Sequence, residues 1–276
     1  MRTGEGGDIF AAEVAAADRG FLYGDALFET MLCLDGVVPW LDYHVERMQL
    51  GSERLFMGAS DDRLRHYFQQ AIPAEGRHIL RLTLSRGCGA RGYGPDGTED
   101  VTVRARLAPL DALRLQPSPH LDLGLSTMDL GSQPLLAGIK HCNRLEQVLA
   151  AREAAEQSVD DVLVGDGRQG FQCAGRANLL VLTDEGLVTP ACDERGIAGT
   201  RRRVVMEQLA PRLNLPVREA PVSRAMLRGA RAVMVSNAVL GLAIAKTIDG
   251  EAVTVDSLAV RLQHSYFQEL NSWVAD

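Results

Sequence analysis

Residues 137–149 read Ala137-Gly138-Ile139-Lys140-His141-Cys142-Asn143-Arg144-Leu145-Glu146-Gln147-Val148-Leu149. Lys140 stands among small and apolar neighbours. Such a setting can strip water from an amine, lower its pKa and free it as a nucleophile, while the alternative on local sequence is a surface lysine ahead of a helix. The rest of the chain sharpens that reading. Of 29 basic residues only Lys140 and Lys246 are lysines; the other 27 are arginines. A guanidinium does not give up its proton, so chemistry that needs a deprotonatable amine falls to two side chains or the N-terminus. Lys246, in Ala243-Ile244-Ala245-Lys246-Thr247-Ile248-Asp249-Gly250, precedes a turn and reads as a surface residue at a hairpin end.

The chain has 276 residues, 46% hydrophobic and 24% charged, enough apolar content for a packed core. At roughly 150 residues per domain, this length predicts one large domain or two modest ones. No apolar run reaches the roughly 18 residues that a membrane helix needs. Met1 to Asp8 is polar and glycine-rich, unlike a secretory signal, so the expected location is the cytoplasm. The net charge is −7, which argues against a phosphate-backbone partner and hence against nucleic acid. The five cysteines are dispersed and odd in number, which fits reduced thiols. The six histidines show no metal-ligand spacing, so no metal is expected.

Strands and helices interleave without a regular βαβ rhythm, which predicts α+β domains rather than a doubly wound sheet. Residues 26–34 lead through Asp35-Gly36, a hairpin signal, into Val37-Val38-Pro39-Trp40. Helices are expected over 41–57, 61–72, 143–157, 201–213 and 256–271. Strands are expected over 78–85, 101–107, 121–129, 160–165, 178–183 and 231–237, with a glycine-rich loop over 87–97. Pro109, Pro117 and Pro119 punctuate residues 108–120 and mark the best linker. The expected division is therefore 1–107, a linker over 108–120, and 121–276 carrying Lys140.

Two further motifs bear on chemistry. Gly196-Ile197-Ala198-Gly199-Thr200-Arg201 precedes a helix start, where backbone N–H groups and the helix dipole can hold a phosphate. Many such glycine loops merely turn the chain. Ser85-Arg86-Gly87-Cys88-Gly89-Ala90-Arg91-Gly92-Tyr93-Gly94 carries arginine forks suited to a carboxylate, although a solvated hairpin loop has the same composition. A reactive lysine, a phosphate loop and carboxylate-binding arginines together point to pyridoxal phosphate.

Asp18-Arg19-Gly20-Phe21-Leu22-Tyr23-Gly24-Asp25-Ala26-Leu27-Phe28-Glu29-Thr30, followed by His44-Val45-Glu46-Arg47, resembles the opening of the fold-type IV pyridoxal-phosphate enzymes. That group holds the branched-chain and D-amino-acid aminotransferases and the aminodeoxychorismate lyases, and the resemblance runs from about residue 18 to 245. Ser85–Tyr93 and Ile139–Leu149 resemble the lyase branch in particular. The resemblance implies a two-domain α+β fold-type IV enzyme, with Lys140 joined to the cofactor's aldehyde and then moving protons. It implies that Arg47 holds the cofactor phosphate, that Thr200 and Arg201 add N–H donors, and that Ser236 and Asn237 add polar contacts. Phe28 and Thr30 would lie beside the substrate, with Thr30 at the catalytic centre, and Arg91 and Tyr93 would contact it. Further implications are a dicarboxylate substrate, 4-amino-4-deoxychorismate, cleaved to 4-aminobenzoate and pyruvate in folate synthesis, and a homodimer. The alternatives are an aminotransferase on the same fold or a non-catalytic relative. One departure stands out. Where family members place a glutamate against the cofactor's pyridine nitrogen, this chain has Cys173, with Gln172 beside it. A neutral group there makes a weaker electron sink than a carboxylate, which bears harder on transamination than on an elimination driven by aromatisation.

Overall fold

The computed structural model describes residues 13–274 apart from 90, 96–100, 112–114, 119 and 169. Met1–Asp8, Ala90, part of the 87–97 loop, and Pro119 with part of the expected linker therefore lie outside the described residues. The chain divides into two units: Met1–Asp111 with Ile139–Asn143 and Trp273–Asp276, and Ala112–Gly138 with Arg144–Ser272.

Unit 1 begins with a single helical turn, α1 (Arg19–Tyr23), capped by the Asp18 carboxylate, which accepts from the N–H groups of Gly20 and Phe21. Strand β1 (Ala26–Leu34) follows, then α2 (Leu41–Arg54), α3 (Asp61–Ala71), β2 (Arg77–Ser85) and β3 (Thr102–Pro109). The strands form an antiparallel sheet in the order β1-β2-β3. Asp35 and Gly36, both at positive φ, do make a tight turn closed by Leu34 and Val37. The strand expected beyond it does not form. Pro39 cannot donate to a ladder, and Trp40 turns left-handed (φ 55°) to begin α2. The partner of β1 is instead β2, in register from Ala26↔Ser85 to Leu34↔Arg77. Strand β3 stays paired through His78↔Pro109, so the expected linker starts inside a strand.

Unit 2 contains β4 (Leu121–Asp129), α4 (Leu145–Gln157), β5 (Asp161–Gly165), β6 (Gly170–Ala174), β7 (Asn178–Thr183) and β8 (Gly186–Thr189). Next come α5 (Thr200–Val204), a π-helical turn (Val205–Leu209), α6 (Ala210–Arg212), β9 (Val217–Glu219), β10 (Val222–Ser223) and α7 (Arg224–Arg228). Strands β11 (Ala232–Asn237), β12 (Gly241–Ile248) and β13 (Glu251–Ala252) precede the last helix, α8 (Ser257–Asn271). The main sheet runs β10-β6-β5-β4-β12-β11-β7-β8-β9, and β6 also pairs with β7, so the central strands return on themselves in a barrel-like sheet. Alternation divides its side chains. Leu163, Phe171, Leu179, Val181, Val233, Val235 and Ala243 fill one core. Val162, Val164 and Cys173 point the other way, under Ala150 and Ala154 of α4. The fold is thus the α+β, fold-type IV arrangement that the sequence implied. Among the described residues no helix is long and apolar enough to cross a membrane.

Candidate active site

In unit 1 the open edge of β1 is covered by the segment that carries Lys140. The N–H of Phe28 donates to the Lys140 carbonyl at 2.9 Å, and the N–H of Cys142 donates to the Ala26 carbonyl at 2.8 Å. These bonds are why Ile139–Asn143 belongs to unit 1, whereas the sequence reading had assigned Lys140 to the second domain. Lys140 is half-buried, and its Nζ lies 4.3 Å from the centre of the Phe28 ring. The Arg81 guanidinium lies 3.8 Å from the same ring. Arg81 pairs across the strands with Thr30, which alternation puts on the face of Phe28. One aromatic ring therefore carries two cations, an arrangement that favours an anion nearby.

The opposite face of β1 holds Glu29, which is fully buried. Arg47 grips it with Nε at 2.8 Å and Nη2 at 2.6 Å, and His44 Nδ1 lies 2.6 Å away. Burial pushes the carboxyl up, but the Arg47 and His44 charges outweigh it and hold Glu29 at about 2. Arg47, expected on the cofactor phosphate, thus has part of its fork on a carboxylate of its own unit. The expected substrate residues Arg91 and Tyr93 are exposed, on a loop whose Tyr93 ring packs 5.3 Å from that of Tyr23.

In unit 2 the second half of the expected constellation gathers at the start of α5. Gly199 is its N-cap and no side chain caps it, a setting in which first-turn N–H groups can face an anion. Close packing enforces the glycine, since a Cβ there would sit 1.8 Å from Asn178 Oδ1. Asn178 in turn donates through Nδ2 to the Ile197 carbonyl at 2.7 Å, fixing the loop. Three arginines crowd this positive helix end, against the usual preference. Arg202 pairs with Glu219 and Arg203 with Glu207, while Arg201 lies fully buried beside Tyr266. Burial pushes the Tyr266 phenol up, and the Arg201 cation pulls it partly back.

Ser236, one residue before the end of β11, lies opposite Asn178, and its hydroxyl is buried with no hydrogen-bond partner. An orphaned hydroxyl and an uncapped helix start in one unit fit a phosphate-bearing group. Asn237 is engaged elsewhere. Its Oδ1 accepts from the N–H groups of Val239 and Leu240, and its Nδ2 donates to the Arg176 carbonyl. It shapes the β11–β12 turn, and the neighbouring hydroxyl is the group left for a ligand.

Cys173 is buried under α4, and burial pushes its thiol far above the ordinary range, so it is neutral at any working pH. Gln172 Nε2 donates to the Ala191 carbonyl at 2.6 Å. Neither position supplies a carboxylate. Among the described residues no group of three or more His, Cys, Asp or Glu side chains could hold a metal ion.

Sequence reasoning passed over Glu29, His44 and Arg81. His44 and Arg47 are one helical turn apart and could have been read as sharing a partner. The alternation of Ile79, Arg81 and Thr83 in the 78–85 strand could have placed Arg81 on the face shared with Thr30.

The fold and these residues define a class, and comparison with known proteins agrees. The pattern of the class IV amino-transferase family matches residues 26–248, and the chain belongs to that family, whose members depend on pyridoxal phosphate. The chain is 33% identical to aminodeoxychorismate lyase from Vibrio harveyi over 246 residues, 88% of this chain and 90% of the relative. It superposes on the crystal structure of 4-amino-4-deoxychorismate lyase from Pseudomonas aeruginosa with a TM-score of 0.84 and 32% identity, covering 95% of this chain and 97% of that one. It is 25% identical to D-alanine aminotransferase from Listeria monocytogenes over 270 residues, 94% of this chain and 91% of the relative.

Proposed function

We propose that the chain is a pyridoxal-phosphate-dependent lyase that converts 4-amino-4-deoxychorismate to 4-aminobenzoate and pyruvate, acting as a cytoplasmic homodimer. The observation that carries this reading is the half-buried Lys140 amine over Phe28, in a segment that resembles the lyase branch. The only other lysine, Lys246, is an exposed surface residue paired with Asp122 at 3.0 Å.

Pyridoxal phosphate would supply the electron sink for charge leaving the substrate. Lys140 would anchor it. Arg47, the first-turn N–H groups of Thr200 and Arg201, and the Ser236 hydroxyl would hold its phosphate. Lys140 would act in its neutral form, the form that accepts a proton. Lys140 Nζ would take the proton from the ring carbon that bears the substrate's amine. The enolpyruvyl C–O bond then breaks, its oxygen keeps the electron pair, and Lys140 returns a proton to the departing group, which leaves as pyruvate. Thr30 faces the same side and would orient the breaking bond. Arg81 and Arg91 would meet the two carboxylates, with Phe28 and Tyr93 beside the ring. A neutral Cys173 or Gln172 in place of a carboxylate beside the cofactor's pyridine nitrogen would suit this elimination, because the new aromatic ring supplies its own driving force.

The test is to give aminodeoxychorismate to the cofactor-loaded protein and to a Lys140→Ala variant, and to measure aminobenzoate and pyruvate. Loss of the base and anchor should cost about 10²- to 10⁴-fold or more in rate. Equal yields from the two proteins would defeat the assignment. Amino-group transfer from D-alanine or a branched-chain amino acid, without pyruvate release from aminodeoxychorismate, would replace it with an aminotransferase.

A further inference from the structure

The single turn α1 joins two parts of unit 1 that the proposed reaction needs together. On one side it meets the segment that carries Lys140. The carbonyl of Gly24, the C-cap of α1, accepts from Asn143 Nδ2 at 3.2 Å. Gly24 is left-handed (φ 66°), and a Cβ there would sit 2.5 Å from Asn143 Oδ1, so the two chains touch closely. Two residues further on, the Ala26 carbonyl accepts the Cys142 N–H.

On the other side α1 meets the loop of Arg91 and Tyr93. Arg19, only 4% exposed, donates through Nη1 to the carbonyls of Gly92 and Gly94, both at 3.1 Å, and through Nη2 to the Tyr93 carbonyl at 2.7 Å. Its Nε donates to Asp25 at 3.0 Å. The guanidinium also lies 5.1 Å from the Tyr23 ring, which packs against Tyr93. Asp25 is itself held by Arg86, whose Nη groups reach the Leu55 and Phe56 carbonyls. Three successive carbonyls on one planar fork fix a backbone. A lysine ammonium, a point donor, cannot span them. The side chains of Arg91 and Tyr93 remain exposed while the backbone beneath them is pinned.

We infer that Arg19 is a positioning residue: it holds the loop of Arg91 and Tyr93 in fixed register with the Lys140 segment, and so governs how strongly an anionic substrate is bound. The substrate's identity rests on the lyase reading; the pinning of the loop does not.

Arg19→Lys in the cofactor-loaded enzyme tests this. KM for aminodeoxychorismate should rise about 10- to 100-fold with kcat within about threefold, the signature of lost binding rather than lost chemistry. The absorbance of the bound cofactor should not move. Trypsin should cut after Arg91 about tenfold faster or more. In an Arg91→Ala background, Arg19→Lys should raise KM by less than about threefold, because the loop's contribution is already gone. Additive effects of the two substitutions, or faster cleavage with unchanged KM, would overturn the inference. If the wild type does not turn over aminodeoxychorismate, the lyase reading falls. The trypsin comparison then still decides the pinning, and the KM comparison is made with the amino acid the protein does use. Should Arg19→Lys fail to fold, Tyr23→Leu removes the ring contact to Tyr93 and should raise KM and cleavage in the same sense; no change in either would count against the role of α1.

Discussion

Glu29 is sealed beneath β1, and its charge survives there only because Arg47 and His44 are sealed in with it. Its carboxyl falls from an ordinary 4.5 to about 2, so folding gains from this group above pH 4.5 and loses that gain as pH falls from 4.5 towards 2. At about 1.4 kcal/mol per pH unit the full effect is ~3 kcal/mol. Glu29→Gln leaves two cations buried without their carboxylate and should cost about 3–5 kcal/mol at neutral pH. The gap between wild type and variant in urea unfolding should narrow by about 2 kcal/mol between pH 7 and pH 3. A gap that stays constant would show that the triad contributes no charge-dependent stability. Cys173 gives the converse case, a neutral group where the family resemblance implies a carboxylate. Cys173→Glu would put a carboxylate among Val162, Val164, Ala150 and Ala154, with Asp161 and Glu146 adding repulsion. The cofactor-free variant should lose about 3 kcal/mol by thermal melting. If position 173 faces the pyridine nitrogen, pyridoxal phosphate should raise the variant's Tm more than the wild type's, and equal rises would remove Cys173 from the cofactor's surroundings.

Gly196–Thr200 and the helix it opens were legible in the sequence, because glycine loops and helix starts are local signals, and the same holds for the 61–72 and 256–271 helices. A precise test of that element is Gly199→Ala. The backbone there (φ −69°) suits any residue, so the cost is purely the added methyl, which meets Asn178 Oδ1 and strains the bond from Asn178 to Ile197. Overpacking of this kind costs about 1–3 kcal/mol. With the helix start displaced, pyridoxal phosphate should bind about tenfold more weakly or worse in an absorbance titration. Gly229→Ala, where the nearest atom is 3.6 Å away, is the control that should leave binding unchanged. What the sequence hid was mostly non-local. The Lys140 segment joins unit 1 because of partners at Ala26 and Phe28, far away along the chain. Strand β6 was missed because Gly170 and Cys173 blur its alternation. The π-helical turn at Val205–Leu209 also escaped, though its cause is local: Pro211 has no N–H to donate four residues back, and the ladder shifts ahead of it. Arg81 and Glu29 lie on opposite faces of a sheet whose pairing the sequence did not disclose, so no partner could be named for either.

Across the whole molecule, positive charge has been given almost entirely to a group that cannot act as a nucleophile. Twenty-seven of the 29 lysine and arginine side chains are arginines, and two lysines remain. Their environments differ in kind. Lys246 sits near the end of β12, its side chain 52% exposed and paired with Asp122. Lys140 is half-buried, over an aromatic ring that it shares with a guanidinium. An aldehyde that is held by its surroundings should therefore choose between them, and the scarcity of lysine makes the choice simple to read. Incubation with one equivalent of pyridoxal phosphate followed by borohydride reduction should add one cofactor mass per chain, and peptide mapping should place it on Lys140. Lys246→Arg should keep the full adduct and Lys140→Arg should lose it. An adduct distributed over both lysines would mean that Lys140 has no special reactivity, and the chemistry proposed for this fold would lose its anchor.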